Sequence, residues 1–538
     1  MRLQALKVHE ASSCGGLLDG LEVSFTTDSN NANESIRTHC LLGPNGSGKS
    51  QFLQLIAEIF QSAWHLHSPH EEREASDQRT EFELEYMISP AGKGPGERVR
   101  LSRAKSSKAA KIEMHKLNQD QQWISIPSGS QDFGDRLPSL VIGYTSGDNE
   151  TLSLPFFVSR SGYSADVREA ALKKYSSSHQ ERVADNRLLL IDYSTHLEVL
   201  VANLLLGSEG VQAAIIGHAQ LDSLASFRCI VQLNHLTRLK ARARGPGLRK
   251  GVQLTPELEE YVDALMRCST CWSYDSRKET YVFDVLVDAE TRRAFASFFS
   301  SSIEIYRAFH KLALLNDLAI PKAARDRLEQ EIETRRFASR LPEPQEEEKV
   351  FRFEQVRFHR GLPSDDREPL DYVSLSDGEH QQAQIFGVFS MITEANALFI
   401  LDEPESHFNP QWRVQFVKRL IELPVFRTGS QEVVLTSHAP FVPSDISREH
   451  VHIFSKKESG SVEVRKPDIE TYGATFDRIL EHCFDVRPPI SQLARDKISE
   501  LMASDDVEEL QTAMSKLGSS VEKAFLADRL RQLRQEKS

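Results

Sequence analysis

Nowhere in the 538 residues does an apolar run approach the roughly 20 residues that a membrane-spanning helix needs. Cysteine is scarce: six in a chain this long do not make a disulfide framework, and reduced thiols in a cytoplasmic protein are the expectation. The single C-x-x-C, Cys268 and Cys271, has no second pair at zinc-ribbon spacing, so ordinary half-buried cysteines are expected there. The N-terminus, MRLQALKVHE, lacks the charged, apolar and small-residue layout of a signal peptide. Basic residues are outnumbered, 65 against 78 acidic, for a formal charge of -13. That balance argues against a general nucleic-acid coat and leaves room for a local basic groove. With 40% hydrophobic and 27% charged residues, the chain has the make-up of a soluble globular protein of several domains.

Three short stretches carry chemistry. LLGPNGSGKS, Leu41 to Ser50, fits G-x-x-x-x-G-K-[ST] with Gly43, Gly48, Lys49 and Ser50 at the fixed positions. IRTHCLL before it reads as a strand; QFLQLIAEIF after it sets Phe52, Leu55, Ile56 and Ile59 at helical spacing. In that setting the loop of Gly43, Pro44, Asn45, Gly46, Ser47 and Gly48 would close its backbone around phosphate oxygens at the favourable end of a helix dipole. Lys49 would bind the β- and γ-phosphates and Ser50 would hold Mg²⁺, so ATP and Mg²⁺ are the implied cofactors.

The second stretch is ALFILDEPESHFNP, Ala397 to Pro410. Leu398 to Leu401 fit a strand buried on both faces, with Asp402 at the end where open α/β sheets place ligands. Asp402 would join the Mg²⁺ shell and Glu403 would orient and polarise an attacking water. The third, VVLTSHAP, ends a β-rich run in Thr436, Ser437 and His438, with the histidine placed to reach a γ-phosphate and that water. Alone, each has a plain reading: a glycine-rich turn, a solvated acidic turn, a structural histidine. Together they make Lys49, Glu403 and His438 the catalytic candidates.

The order of these stretches, with LSDGE at Leu375 to Glu379 between the first and second, resembles the ABC-type ATPase superfamily and its OLD/SMC-like members. The resemblance implies an α/β ATPase head with large β and helical insertions and a helical C-terminal tail. It makes Ser374, Leu375, Ser376, Asp377, Gly378 and Glu379 the signature, which would meet the γ-phosphate held by Lys49 of a second copy. The implied assembly is a homodimer, or a higher oligomer of dimers. Asp377 stands where Gly or Ser is commoner, His380 follows the glutamate, and the glutamine of the Q-loop is not assignable.

Ser50 and Ser376 lie 326 positions apart, more than a bare head needs. Residues 1–60 and 351–480 are read as the two parts of the head. Residues 61–193 would hold a β lobe (TEFELEYMI, RVRLS, WISI) and further head strands (SLVIGY, RLLLID). Residues 194–350 would be a helical insertion for dimerisation or docking, and 481–538 a helical tail in which Asp505 caps the second helix. His65, His67 and His70 read as a solvated loop. No sustained heptad pattern suggests a long coiled-coil arm. Two stretches concentrate positive charge, 98–116 and 236–250. Solvated loops are the plain reading; contact with nucleic-acid phosphates through Arg238, Lys240, Arg242 and Arg244 is the functional one.

VIGYTSGDNETLSLPF, LLLIDYSTHLEVLVANLLLG and YGATFDRIL further resemble restriction-system-associated ATPases, the PtuA-type subunits of Septu and of one class of retron anti-phage systems. That resemblance implies an HNH nuclease partner of the PtuB kind and, in the retron version, a reverse transcriptase with its RNA–DNA hybrid. About 100 residues follow His438 and contain no D-x-D cluster, so cutting would be supplied in trans. The competing readings are a DNA-repair ATPase of the RecF/Rad50 kind acting directly on DNA, and a scaffold that uses ATP as structural glue.

Overall fold

The helix Lys49–His67 is buried almost all round: Phe52 to Gln61 lie inside without a break, and the polar Gln54 and Glu58 satisfy each other at 2.8 Å. A helix buried on every side must be covered on every side, and two sheets and the helix Glu150–Arg160 supply the cover. The computed structural model describes residues 1–11, 14–26, 37–74, 79–104, 111–146, 150–160, 162–173, 183–191, 195–217, 221–234, 249, 251–333, 344–360, 369–423, 431–487 and 489–536. Within them Phe52 meets Phe454 of a parallel sheet at 5.4 Å, and Phe60 meets Tyr86 of an antiparallel sheet at 5.7 Å. Leu6, Phe82, Ile56, Leu398 and Val434 belong to one continuous core.

The parallel sheet has seven strands in the order Val462–Arg465, Val451–Lys456, Arg37–Leu42, Glu432–Thr436, Leu398–Asp402, Val141–Thr145 and Leu188–Ile191. All neighbours run parallel except the first pair. Its central strands are buried on both faces, as their unbroken apolar runs require. The antiparallel sheet has six strands, ordered Glu22–Ser24, Arg2–Glu10, Glu81–Ile88, Glu97–Arg103, Glu113–Leu117 and Trp123–Ile126. It therefore draws two strands from the first 26 residues, beyond the expected β lobe. In the basic stretch 98–116, Arg98 and Arg100 both bond Glu85, and Arg103 is buried against Phe82. Those cations are engaged within the sheet.

Residues 194–350 differ from the helical insertion expected. Helices such as His196–Leu206, Pro256–Cys268 and Ser302–Leu314 are present, but so are strands Leu221–Gln232, Cys271–Asp275 and Thr280–Leu286. With Phe351–Arg360 and Leu370–Asp371 they form a five-stranded antiparallel sheet. Leu221–Gln232 is paired along both edges, by Thr280–Leu286 and Phe351–Arg360, so tertiary pairing sets its state rather than its helix-rich surroundings. His196–Leu206 packs on the helix Asp377–Met391. Asn203 Nδ2 bonds Gly387 O at 3.0 Å, and a Cβ on Gly387 would lie 2.8 Å from Val199. The helix Lys49–His67 also runs further than expected: His65 Nδ1 meets Glu72 O at 2.9 Å, and His67 stacks on Phe133. Cys268 is buried at a helix end and Cys271 is exposed on a strand. No described helix is long and apolar enough to cross a membrane.

The chain divides into compact units at Gly473/Ala474. The second unit has helices Phe476–Phe484, Gln492–Met502, Val507–Lys516 and Val521–Glu536, with Ile498, Leu501, Leu510, Leu526, Leu530 and Leu533 as its core. Asp506, not Asp505, caps Val507–Lys516, accepting from Glu508 N at 2.9 Å and Glu509 N at 3.2 Å. Asp505 pairs instead with Arg529 at 2.6 Å. Asp506→Ala is expected to cost about 1 kcal/mol, read by chemical denaturation of the full chain as a loss confined to the transition of this unit.

Candidate functional site

Three neighbouring strands of the parallel sheet end side by side: Arg37–Leu42, Glu432–Thr436 and Leu398–Asp402. The loop after the first turns sharply. Gly43 has φ 140, and a Cβ there would stand 2.2 Å from Phe454 O, so only glycine fits. Gly48, at φ 93, begins the helix Lys49–His67. Pro44, Asn45 and Gly46 are exposed while Ser47, Gly48 and Lys49 are buried, an open rim over a closed floor. Lys49 Nζ folds onto that floor and donates to Gly43 O at 2.9 Å and Pro44 O at 3.1 Å. Burial pushes its pKa down, against the pull of Asp402 and Glu403.

Ser50 Oγ donates to the Asp402 carboxylate at 2.9 Å and 3.2 Å. Thr436 Oγ1 donates to the same carboxylate at 2.6 Å and accepts from Glu403 N at 2.9 Å. Asp402 is 4% exposed, and burial raises its pKa against these two hydroxyl donors. A buried carboxylate beside a serine hydroxyl is an all-oxygen donor pair of the kind Mg²⁺ takes, the rest of its shell being water and phosphate. The residues present therefore fit the cation and the nucleotide.

Glu403 follows in a left-handed backbone, φ 48, a conformation costing roughly 1–3 kcal/mol in a non-glycine residue. The turn points its side chain towards His438, whose Nε2 lies 3.1 Å from Glu403 Oε1. That hydrogen bond holds the carboxyl below its ordinary range, against partial burial. Ser50, Asp402, Glu403 and His438 are thus joined at the ends of neighbouring central strands, with the Lys49 amine held on the loop floor.

The signature lies at the start of the helix Asp377–Met391. Ser374 ends a short 3₁₀ turn, Leu375 is half-buried, and Ser376 is the N-cap. Ser376 and Glu379 form a capping box: Ser376 N and Oγ donate to Glu379 Oε2 at 2.8 and 2.9 Å. The glutamate carboxylate so sits where an incoming anion would be received. A Cβ on Gly378 would be 3.0 Å from His407 O, so the signature packs against the segment Ser406–Pro410. His380 stacks on Tyr372 at 4.2 Å and its Nε2 meets Tyr372 O at 2.9 Å.

The sequence places Thr436 at a strand end without marking its role, which is to join Asp402 to the Glu403 backbone, and does not mark Thr145, the strand-tip neighbour of Asp402. The position beside Asp402 carries that threonine. Arg238, Lys240, Arg242 and Arg244 lie outside the described residues. Arg249, at the end of that basic stretch, pairs with Glu259 at 2.6 Å.

Residues 281–445 match the family described as "AAA domain, putative AbiEii toxin, Type IV TA system". The match spans the signature, Asp402, Glu403 and His438 and excludes the phosphate loop. No curated protein matches significantly. Among solved structures, the SMC head domain from Thermotoga maritima is 10% identical, with TM-score 0.32, covering 87% of this chain and 100% of its own. An SmcHead bound to the C-winged helix domain of ScpA is 11% identical, with TM-score 0.29, covering 87% and 97%. Strand order and local geometry define an α/β protein with a glycine-rich loop between a central strand and a buried helix.

Thr436→Val keeps the shape and removes both bonds to the acidic pair. Mg²⁺-dependent affinity for a fluorescent ATP analogue is expected to fall roughly 10-fold, with Mg²⁺-independent affinity unchanged.

Proposed function

We propose that this protein is an ATPase of the ABC type that works as a head-to-tail dimer. The carrying observation is the single bonded edge of Ser50, Asp402, Thr436, Glu403 and His438. It sets a cation-binding pair beside a histidine-steadied carboxylate, directly above the phosphate loop. Lys49 and the loop Gly43–Gly48 hold the phosphates; Ser50 and Asp402 hold Mg²⁺, which supplies charge neutralisation at the phosphates. Glu403 accepts a proton from water it orients, and His438 fixes the Glu403 carboxylate and can reach the γ-phosphate.

Each head holds half of two sites. The signature of one copy, Ser374 to Glu379, presents the N-terminus of its helix to the nucleotide of the other. An ATP bound by both halves favours the closed dimer, and loss of its γ-phosphate removes that preference. We further propose that closure controls a partner nuclease of the HNH kind in an anti-phage system, with a reverse transcriptase and RNA–DNA hybrid in the retron form. The stretches 141–156, 188–207 and 472–480 support this finer reading through their resemblance to such ATPases.

Mixing Lys49→Ala chains with Gly378→Asp chains tests the composite site. Each variant alone is inactive; mixed dimers regain one intact site, and ATP turnover is expected to recover to roughly a quarter of wild type, given random pairing and independent sites. Heterodimers that form and stay inactive contradict the head-to-tail arrangement.

A further inference from the structure

Ser437, next to the switch histidine, ties three segments together. Its N donates to Leu41 O at 3.1 Å on the strand leading into the phosphate loop. Its Oγ accepts from Ala439 N at 3.0 Å and donates to Glu405 Oε1. Glu405 is 2% exposed, and its second oxygen has no hydrogen-bond partner among the described residues. Burial pushes its pKa up to about 7, so the neutral acid prevails below that pH. The groups around it are few. Ser437 comes from the switch loop, Glu403 from its own loop and Arg413 from the following helix. The Tyr144 hydroxyl, from the neighbouring strand, faces both Glu405 and Gln381 of the signature helix. The proposed mechanism leaves Glu405 unused.

We propose that Glu405 is a positioning residue for the switch histidine: by holding Ser437 through its hydroxyl, it sets where His438 stands relative to Glu403. This rests on the ATPase reading above. Ionised, the buried Glu405 would add a further negative charge near Glu403 and weaken the setting of the His438–Glu403 pair. Neutral, it steadies the loop and leaves the His438–Glu403 pair undisturbed. The sign follows: turnover is fully supported below about 7 and declines as pH rises through that value.

The test compares the pH dependence of ATP turnover by full-length wild type, Glu405→Gln, Glu405→Ala and Ser437→Ala. Glutamine keeps the shape and cannot ionise, so Glu405→Gln is expected to hold wild-type kcat below neutrality and to lose the decline above it. The two alanine variants are expected to lower kcat roughly 10- to 100-fold while KM for ATP stays within about twofold, with kcat normalised to the chains that bind a fluorescent ATP analogue so that unfolded chains are not counted. Absence of turnover in wild type overturns the ATPase reading and this proposal with it. Turnover in wild type with an unchanged pH profile in Glu405→Gln, or with kcat and KM lost together in the alanine variants, overturns the positioning role alone.

Discussion

The hydrogen bond of 2.9 Å from Ser50 to Asp402 joins residues 352 positions apart, and much of the fold serves to make it possible. Ser50 stands in the first turn of a helix and Asp402 at the tip of a strand. Both are fixed only when that helix is buried and that strand lies second from the phosphate-loop strand. The Glu432–Thr436 strand fills the gap, and Thr436 at its tip closes the cluster by bonding Asp402 and the Glu403 backbone. The cost of burying Asp402 is offset by these two hydroxyl donors. A cation is the natural further compensation for that charge.

The strain at Glu403 belongs to the same design. Its left-handed backbone turns the side chain away from Asp402 and towards His438, so two adjacent acids face different tasks. Asp402 is buried and held by hydroxyls; Glu403 is more open and held by a histidine. Opposite pKa directions follow from those surroundings, up for Asp402 by burial and down for Glu403 by the His438 bond. In the proposed mechanism, this separation of neighbouring carboxylates by environment would let one hold a cation while the other handles a proton.

The sequence displays the site's motifs more plainly than their supports. Leu398–Asp402 is legible because an apolar run ending in acids fits a doubly buried strand. Gly43–Ser50 is legible because glycines, lysine and serine occupy fixed spacings. Thr436 and Glu405 carry no such mark, since their importance lies in partners brought from elsewhere in the chain. Leu221–Gln232 was obscured for a related reason: its pairing partners begin 48 and 119 positions beyond its end, at Thr280 and Phe351. Asp505 and Asp506 are equal candidates for a cap by composition, and only the backbone geometry chooses between them.

The capping box at Ser376 and Glu379 gives the signature its form in the single chain, with a carboxylate seated at the helix start. In the proposed dimer, a second copy's γ-phosphate would have to displace that carboxylate from the helix start. The most direct measurement is the solution mass, by light scattering, of full-length Glu403→Gln chains saturated with ATP and Mg²⁺. A mass twice that of the nucleotide-free chain is expected, returning to the starting value when ATP is removed. An unchanged mass at saturating bound ATP would contradict the proposed dimer.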